Sequence, residues 1–158
     1  MFTGSPRRLA SFRSNVTKVA ACALRARQSR KVASLMAADQ PRPAQRLQGA
    51  CHCGRVRFEI ETDFPELTTC DCSICVKKNA LMVKVHESSF RLLAGEDALT
   101  EYQFHTRTAR HYFCKFCGIY PFHRKRVTPD NLGVNVHCLE GADLRGVPVR
   151  RTAGASMA

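Results

Sequence analysis

The 158-residue chain has no tryptophan, and no apolar run in it approaches the roughly 20 residues that a bilayer-spanning helix needs. Charged or polar residues interrupt every candidate, Ala80 to Val85 among them. The expectation is a soluble protein with no membrane partner. With 12 aromatics and 44% apolar residues, one domain of about 100 to 120 residues plus a tail is the expected partition. Acids are missing from residues 1–38, which carry eight Lys or Arg; the remaining 120 residues hold 17 basic and 13 acidic side chains. The formal charge of +12 is therefore mostly a property of the N-terminal segment. If seven cysteines bind two zinc ions as thiolates, the folded part falls near +1. That is too little for the one-sided positive surface that drives phosphate binding, which argues against nucleic acid as a partner of the folded part.

Residues 1–45 read as a basic, acid-poor tail. It is rich in Arg, Ser and Ala, and Leu9, Phe12, Val16, Val19 and Ala23 recur at helical spacing. Three readings stand side by side: a disordered or mis-started tail with the true start at Met36, a mitochondrial address, and an arm for nucleic acid. Cys22, within this segment, is expected to be unligated. Lys18 and Arg25 break up the apolar stretch a secretory signal would require. The expected compartment is the cytoplasm, with the mitochondrion as the alternative.

The Pro41-Arg42-Pro43 stretch cannot continue a helix, so the domain is expected to run over residues 46–145 and to leave 146–158 as a flexible C-terminal tail. Inside the domain the signals are short and extended. Val56 to Glu61, Ala80 to His86, Leu99 to Thr106, His111 to Cys114 and Leu132 to His137 alternate, and Phe90 to Gly95 reads as a strand ending in a turn. Only Ser73 to Asn79 looks like a helical turn. The expected fold is mainly β: a single small zinc-stapled domain of several short antiparallel sheets with little helix.

Seven of the nine cysteines fall in three clusters, Cys51-His52-Cys53-Gly54, Cys70-Asp71-Cys72-Ser73-Ile74-Cys75 and Cys114-Lys115-Phe116-Cys117-Gly118. Residues i and i+2 of an extended segment point the same way, so each C-x-C presents two sulfurs on one side. In C-x-x-C-G the chain curls around a metal, and Gly118 can take the turn conformation a side chain would resist. Thiolates select zinc or iron–sulfur chemistry, and with no redox motif in sight zinc is preferred.

Two closed tetrahedral sites would need eight ligands, and seven sulfurs fall one short. If Cys51 and Cys53 join Cys114 and Cys117, the result is a structural site stapling the start of the domain to a distant strand. Cys70, Cys72 and Cys75 then remain around a second ion with its fourth position open, the layout of catalytic zinc. Against this stand disulfides, a redox C-x-x-C at Cys114 and Cys117, and a purely structural second zinc completed by His123, His137 or Cys138. Disulfides are disfavoured because cysteines one residue apart bridge poorly.

At this point the pattern resembles the glutathione-dependent formaldehyde-activating enzyme and centromere protein V domain family, over about residues 48–140. The resemblance rests on Gly49 to Phe58, Cys70 to Cys75, Phe90 to Gly95, Phe113 to Gly118 and His137-Cys138-Leu139-Glu140. Cys72 to Lys78 and Cys114 to Ile119 are most similar to the centromere protein V type. The resemblance implies a mostly β fold, one zinc on four cysteines and a second on three. It also implies a carbon–sulfur lyase acting on a small thiol or thiol–aldehyde adduct of the S-hydroxymethylglutathione type. The alternative is a non-catalytic zinc-stabilised interaction module whose basic tail binds an anionic partner.

For the chemistry, Cys70, Cys72 and Cys75 are the expected catalytic ligands. His123 and His137 are candidates for proton transfer. Lys77, Lys78, Arg124, Lys125 and Arg126 are candidates for binding substrate carboxylates. Cys138 is expected to pack as a small apolar residue, and Phe58, Phe113, Phe116 and Phe122 to lie in the core.

Overall fold

The structure, a computed structural model, describes residues 42–157. The expectations for the basic segment, for Met36 and for Cys22 lie outside the described residues. Among the described residues ten strands form two sheets. The smaller has the order β1 (Gln45–Ala50), β2 (Arg57–Thr62), β5 (Phe90–Ala94) and is antiparallel throughout. The larger runs β10 (Val149–Thr152), β3 (Leu67–Cys70), β4 (Met82–His86), β9 (Asn131–Asn135), β8 (Phe122–Arg124), β7 (Arg110–Cys114), β6 (Leu99–Tyr102). A single α-helix among these residues, α1 (Ser73–Lys78), follows β3.

Alternation in β2 turns Phe58, Ile60 and Thr62 inward while Arg57 and Glu61 remain exposed. Phe58 reaches across to the larger sheet, its ring 5.5 Å from that of Phe122 and 5.7 Å from Phe90, with Phe90 and Phe122 4.8 Å apart. These three rings join the two sheets, and Val56, Leu67, Val83, Val134 and Val136 complete the apolar interior around them. Central strand β9 is buried from Asn131 to Val134 because β4 and β8 flank it.

The fold is mainly β with little helix, as expected, and one strand pair departs from the antiparallel pattern: β10 pairs with β3 in parallel, with Thr152 opposite Cys70. The segment after 145, expected to be tail, thus supplies a sheet strand. It is held by backbone pairing, by a two-pronged ion pair from Arg150 to Glu66 at 2.8 and 2.6 Å, and by Leu67 N–H donating to the Pro148 carbonyl at 2.8 Å. At the other end, Arg42 donates to the carbonyls of Asp143 (2.8 Å) and Arg145, and β1 begins at Gln45, inside the expected tail.

Candidate metal centres

Cys51 follows β1 directly and Cys114 ends β7, so each cysteine pair starts from the rigid end of a strand. Two tight turns then bring the partners round. Gly54 N–H donates to the Cys51 carbonyl at 2.9 Å, and Gly118 N–H to the Cys114 carbonyl at 2.8 Å. Gly54 and Gly118 have φ of 72° and 73°, a conformation that disfavours any residue with a side chain. The four sulfurs of Cys51, Cys53, Cys114 and Cys117 lie within 4.8 Å of one another.

The separations measured are 3.5 Å for Cys51–Cys53 and 3.7 Å for Cys53–Cys114. A tetrahedron with zinc–sulfur bonds of about 2.3 Å has sulfur–sulfur edges of about 3.8 Å. The donor set therefore fits a zinc ion in both chemistry and size. Burial works against a thiolate at Cys117, but the backbone N–H groups of Ile119 and Cys53 outweigh it and bring the thiol down to about 6. The Val56 N–H donates to the Cys51 sulfur at 3.3 Å and so orients it toward the other three.

The second cluster is local. Cys70 ends β3, Cys72 is the N-cap of α1, and Cys75 lies in its first turn. Their sulfurs also lie within 4.8 Å of one another, and among the described residues no His, Asp, Glu or further Cys joins them. His123, His137 and Cys138, each weighed as a fourth ligand, are thus outside the group. Burial again opposes a thiolate at Cys70, yet the Cys72 N–H and the Thr152 hydroxyl hold its thiol below the ordinary value. Cys75 is pushed up by burial and by its two neighbouring sulfurs, the expected result of crowding thiols that a cation would relieve.

The C-terminal strand walls this cluster, and the sequence pattern does not disclose it. Asp71 N–H donates to the Thr152 carbonyl at 3.3 Å and Ala155 N–H to the Asp71 carboxylate at 2.8 Å. Buried Gly154 lies against Cys70 so closely that a Cβ there would overlap the Cys70 sulfur and stand 3.0 Å from the Cys72 Cβ.

Beyond the sulfurs, Lys78 and Tyr120 lie within the field of the same cluster, and two histidine rings back them. Lys78 places its ammonium 3.4 Å from the centre of the Tyr120 ring, and the Tyr120 hydroxyl is 3.0 Å from His111 Nδ1. The His111 ring stacks on His123 at 5.4 Å, and His123 lies over Gly133, where a side chain would collide with it. Burial, and then the positive charge of Lys78, brings His111 down to about 4; burial, His111 and the lysines Lys125 and Lys78 bring His123 to about 3. Burial similarly lowers Lys78 to about 8, against the pull of Cys75 and Cys72.

Other candidates lie apart from this arrangement. His137 is exposed, with its N–H on the Asn135 side chain at 3.1 Å. Lys77 is exposed, and Arg124 is engaged by Glu87 at 2.7 Å and the Pro129 carbonyl at 2.6 Å. Phe116, expected in the core, is 55% exposed beneath the Arg55 guanidinium, because the C-x-x-C turn points its middle residues away from the sulfurs. A cavity of about 790 Å³ lined by Phe90, Leu92, Leu99, Tyr112 and Phe122 includes no cysteine of either cluster.

The family model described as glutathione-dependent formaldehyde-activating enzyme matches residues 46–149. The chain belongs to this family. A crystal structure of a protein from Rhodobacter sphaeroides superposes with a TM-score of 0.61 at 44% sequence identity, covering 65% of this chain and 99% of that one. Membership in the formaldehyde-activating family carries an association with formaldehyde conjugation and with zinc, and both sulfur clusters fall inside the matched span.

Proposed function

We propose that the protein is a zinc-dependent carbon–sulfur lyase acting on a thiol–aldehyde adduct of the S-hydroxymethylglutathione type, with two zinc ions per chain. The observation that carries this reading is the three-sulfur cluster of Cys70, Cys72 and Cys75, which no His, Asp, Glu or further Cys joins among the described residues. A zinc ion on those sulfurs would hold a substrate sulfur as its thiolate at neutral pH. The chain's part is to keep three sulfurs converged: β3 fixes Cys70, α1 fixes Cys72 and Cys75, and the segment from Thr152 to Ala155 closes over them. Cys51, Cys53, Cys114 and Cys117 would hold the other ion as a staple between β1 and β7.

The reaction needs no oxidant. In the forward direction a thiol loses its proton, its sulfur bonds to the carbonyl carbon, and the carbonyl electron pair moves to oxygen, which gains a proton. In reverse the sulfur–carbon bond breaks and the carbonyl re-forms. Juxtaposing sulfur and aldehyde is the main rate advantage such a site can offer. Magnetisation-exchange NMR with ¹³C-formaldehyde and glutathione tests the reading. Exchange between free aldehyde and adduct should rise with added zinc-loaded protein and stay at the uncatalysed rate with chelator-stripped protein. Equal rates with and without the loaded protein, for glutathione and for simpler thiols alike, would refute it.

A further inference from the structure

Building on the lyase reading, we propose that Lys78 is a substrate-binding residue of the three-cysteine centre and that its ligand is the adduct oxygen, the atom sharing a carbon with the substrate sulfur. Lys78 follows Cys75 by three positions on α1, so the two side chains leave the same helix face as neighbours. The Lys78 ammonium is buried and, among the described residues, has no hydrogen-bond acceptor. Such a group is costly to bury unless something meets it.

The Tyr120 ring meets one side of it through its π face, and the charges acting on it come from Cys75 and Cys72. The N–H donors of the ammonium are therefore left without a protein acceptor, on a side chain that feels the charge of the sulfur cluster. Tyr120 is itself only 7% exposed and is fixed by His111, which His123 backs in turn, so the ammonium stands on a rigid platform assembled from β7, β8 and the turn between them.

Position selects the ligand atom. The carboxylates of glutathione lie well away from its sulfur along the peptide, whereas the adduct oxygen is attached to the carbon that bears sulfur. A donor one helical turn from a metal-ligand sulfur reaches the near oxygen. As the sulfur–carbon bond forms, that oxygen receives the carbonyl electron pair, and it holds negative charge until a solvent proton arrives. An ammonium already aimed at it stabilises this charge without reorganising, the arrangement that makes oxyanion stabilisation effective.

The test uses full-length protein with cobalt in place of zinc, so that thiolate binding is read from the sulfur-to-cobalt absorption band. Two probes are compared. Thioacetate carries an oxygen on the carbon that bears its sulfur, and ethanethiol carries none. Lys78→Met should weaken thioacetate by about tenfold or more while changing ethanethiol by less than about threefold, with Lys78→Arg between the two. Metal content and circular dichroism should match the wild type, since the change removes an unsatisfied buried charge.

Equal weakening of both probes would overturn the proposal, because it would mean that Lys78 only offsets the charge of the thiolates. An unchanged thioacetate affinity would overturn it as well. If neither probe perturbs the cobalt spectrum of the wild type, the lyase reading itself fails, and this inference falls with it.

Discussion

Gly154 shows how little room the three-sulfur cluster leaves. A methyl group there would occupy the space of the Cys70 sulfur, so Gly154→Ala must displace either the sulfur or the C-terminal segment. Zinc affinity at the second site should fall by about tenfold or more while the four-cysteine site is unaffected, measurable by chelator competition. The histidines bear on pH in a defined direction. Burial, with Lys78 beside it, holds His111 near 4 against 6.5 for a free side chain, so between those values the unfolded chain takes up a proton the folded one refuses. Stability from this source is complete above about pH 6.5 and is lost as pH falls through about 4. The urea midpoint should drop from pH 7 to pH 5, and His111→Phe should flatten that drop; an equal slope in the variant would remove His111 as its source. At this scale the cysteines were legible because spacing alone puts thiolates together. Tyr120, His111 and Gly154 were not, and Lys78 stood as one of five basic candidates that the sequence could not rank, because their placement comes from approach in space between β-strands and α1, which no local spacing records.

Strands buried on one face could be read from alternation. In β2 the inward Phe58 and Ile60 are 0% and 1% exposed, and truncating the first, Phe58→Ala, should cost about 3 to 5 kcal/mol in denaturant unfolding. Strand β10 escaped because Val149, Arg150 and Arg151 are exposed and no apolar face marks it. Its stabilisation is the backbone ladder to β3, and a ladder leaves no hydrophobic signature in the sequence. The same ladder gives it a job: it sets Thr152 opposite Cys70 and carries Gly154 onto the sulfur. Ending the chain after Pro148 should therefore lower metal content by one equivalent while the four-cysteine site stays loaded and the far-ultraviolet spectrum stays largely unchanged. Loss of both metals together would show instead that β10 supports the whole sheet.

Across the whole molecule the two clusters differ in what they connect. Cys51 and Cys53 meet Cys114 and Cys117 from the far side of the domain sequence, so a metal there closes a long loop and couples β1 to β7. A structural zinc there would contribute about 10 kcal/mol or more to folding, ample for a core without tryptophan. Cys117→Ser should accordingly unfold the domain at ordinary temperature. The second cluster spans one strand end and one helical turn, and its loss should leave the sheets standing. The division into a four-sulfur and a three-sulfur cluster was readable from an odd sulfur count; the wall around the three-sulfur cluster was not, because β10 and the rings on β7 and β8 reach it only after folding.

The most direct measurement takes one preparation of Cys75→Ser and determines both its metal content and its rate of thiol–formaldehyde exchange. The predicted result is a folded protein with one zinc fewer than the wild type and exchange at the uncatalysed rate. A folded variant that loses this zinc and still exchanges at the wild-type rate would contradict the assignment of Cys70, Cys72 and Cys75 as the reactive centre.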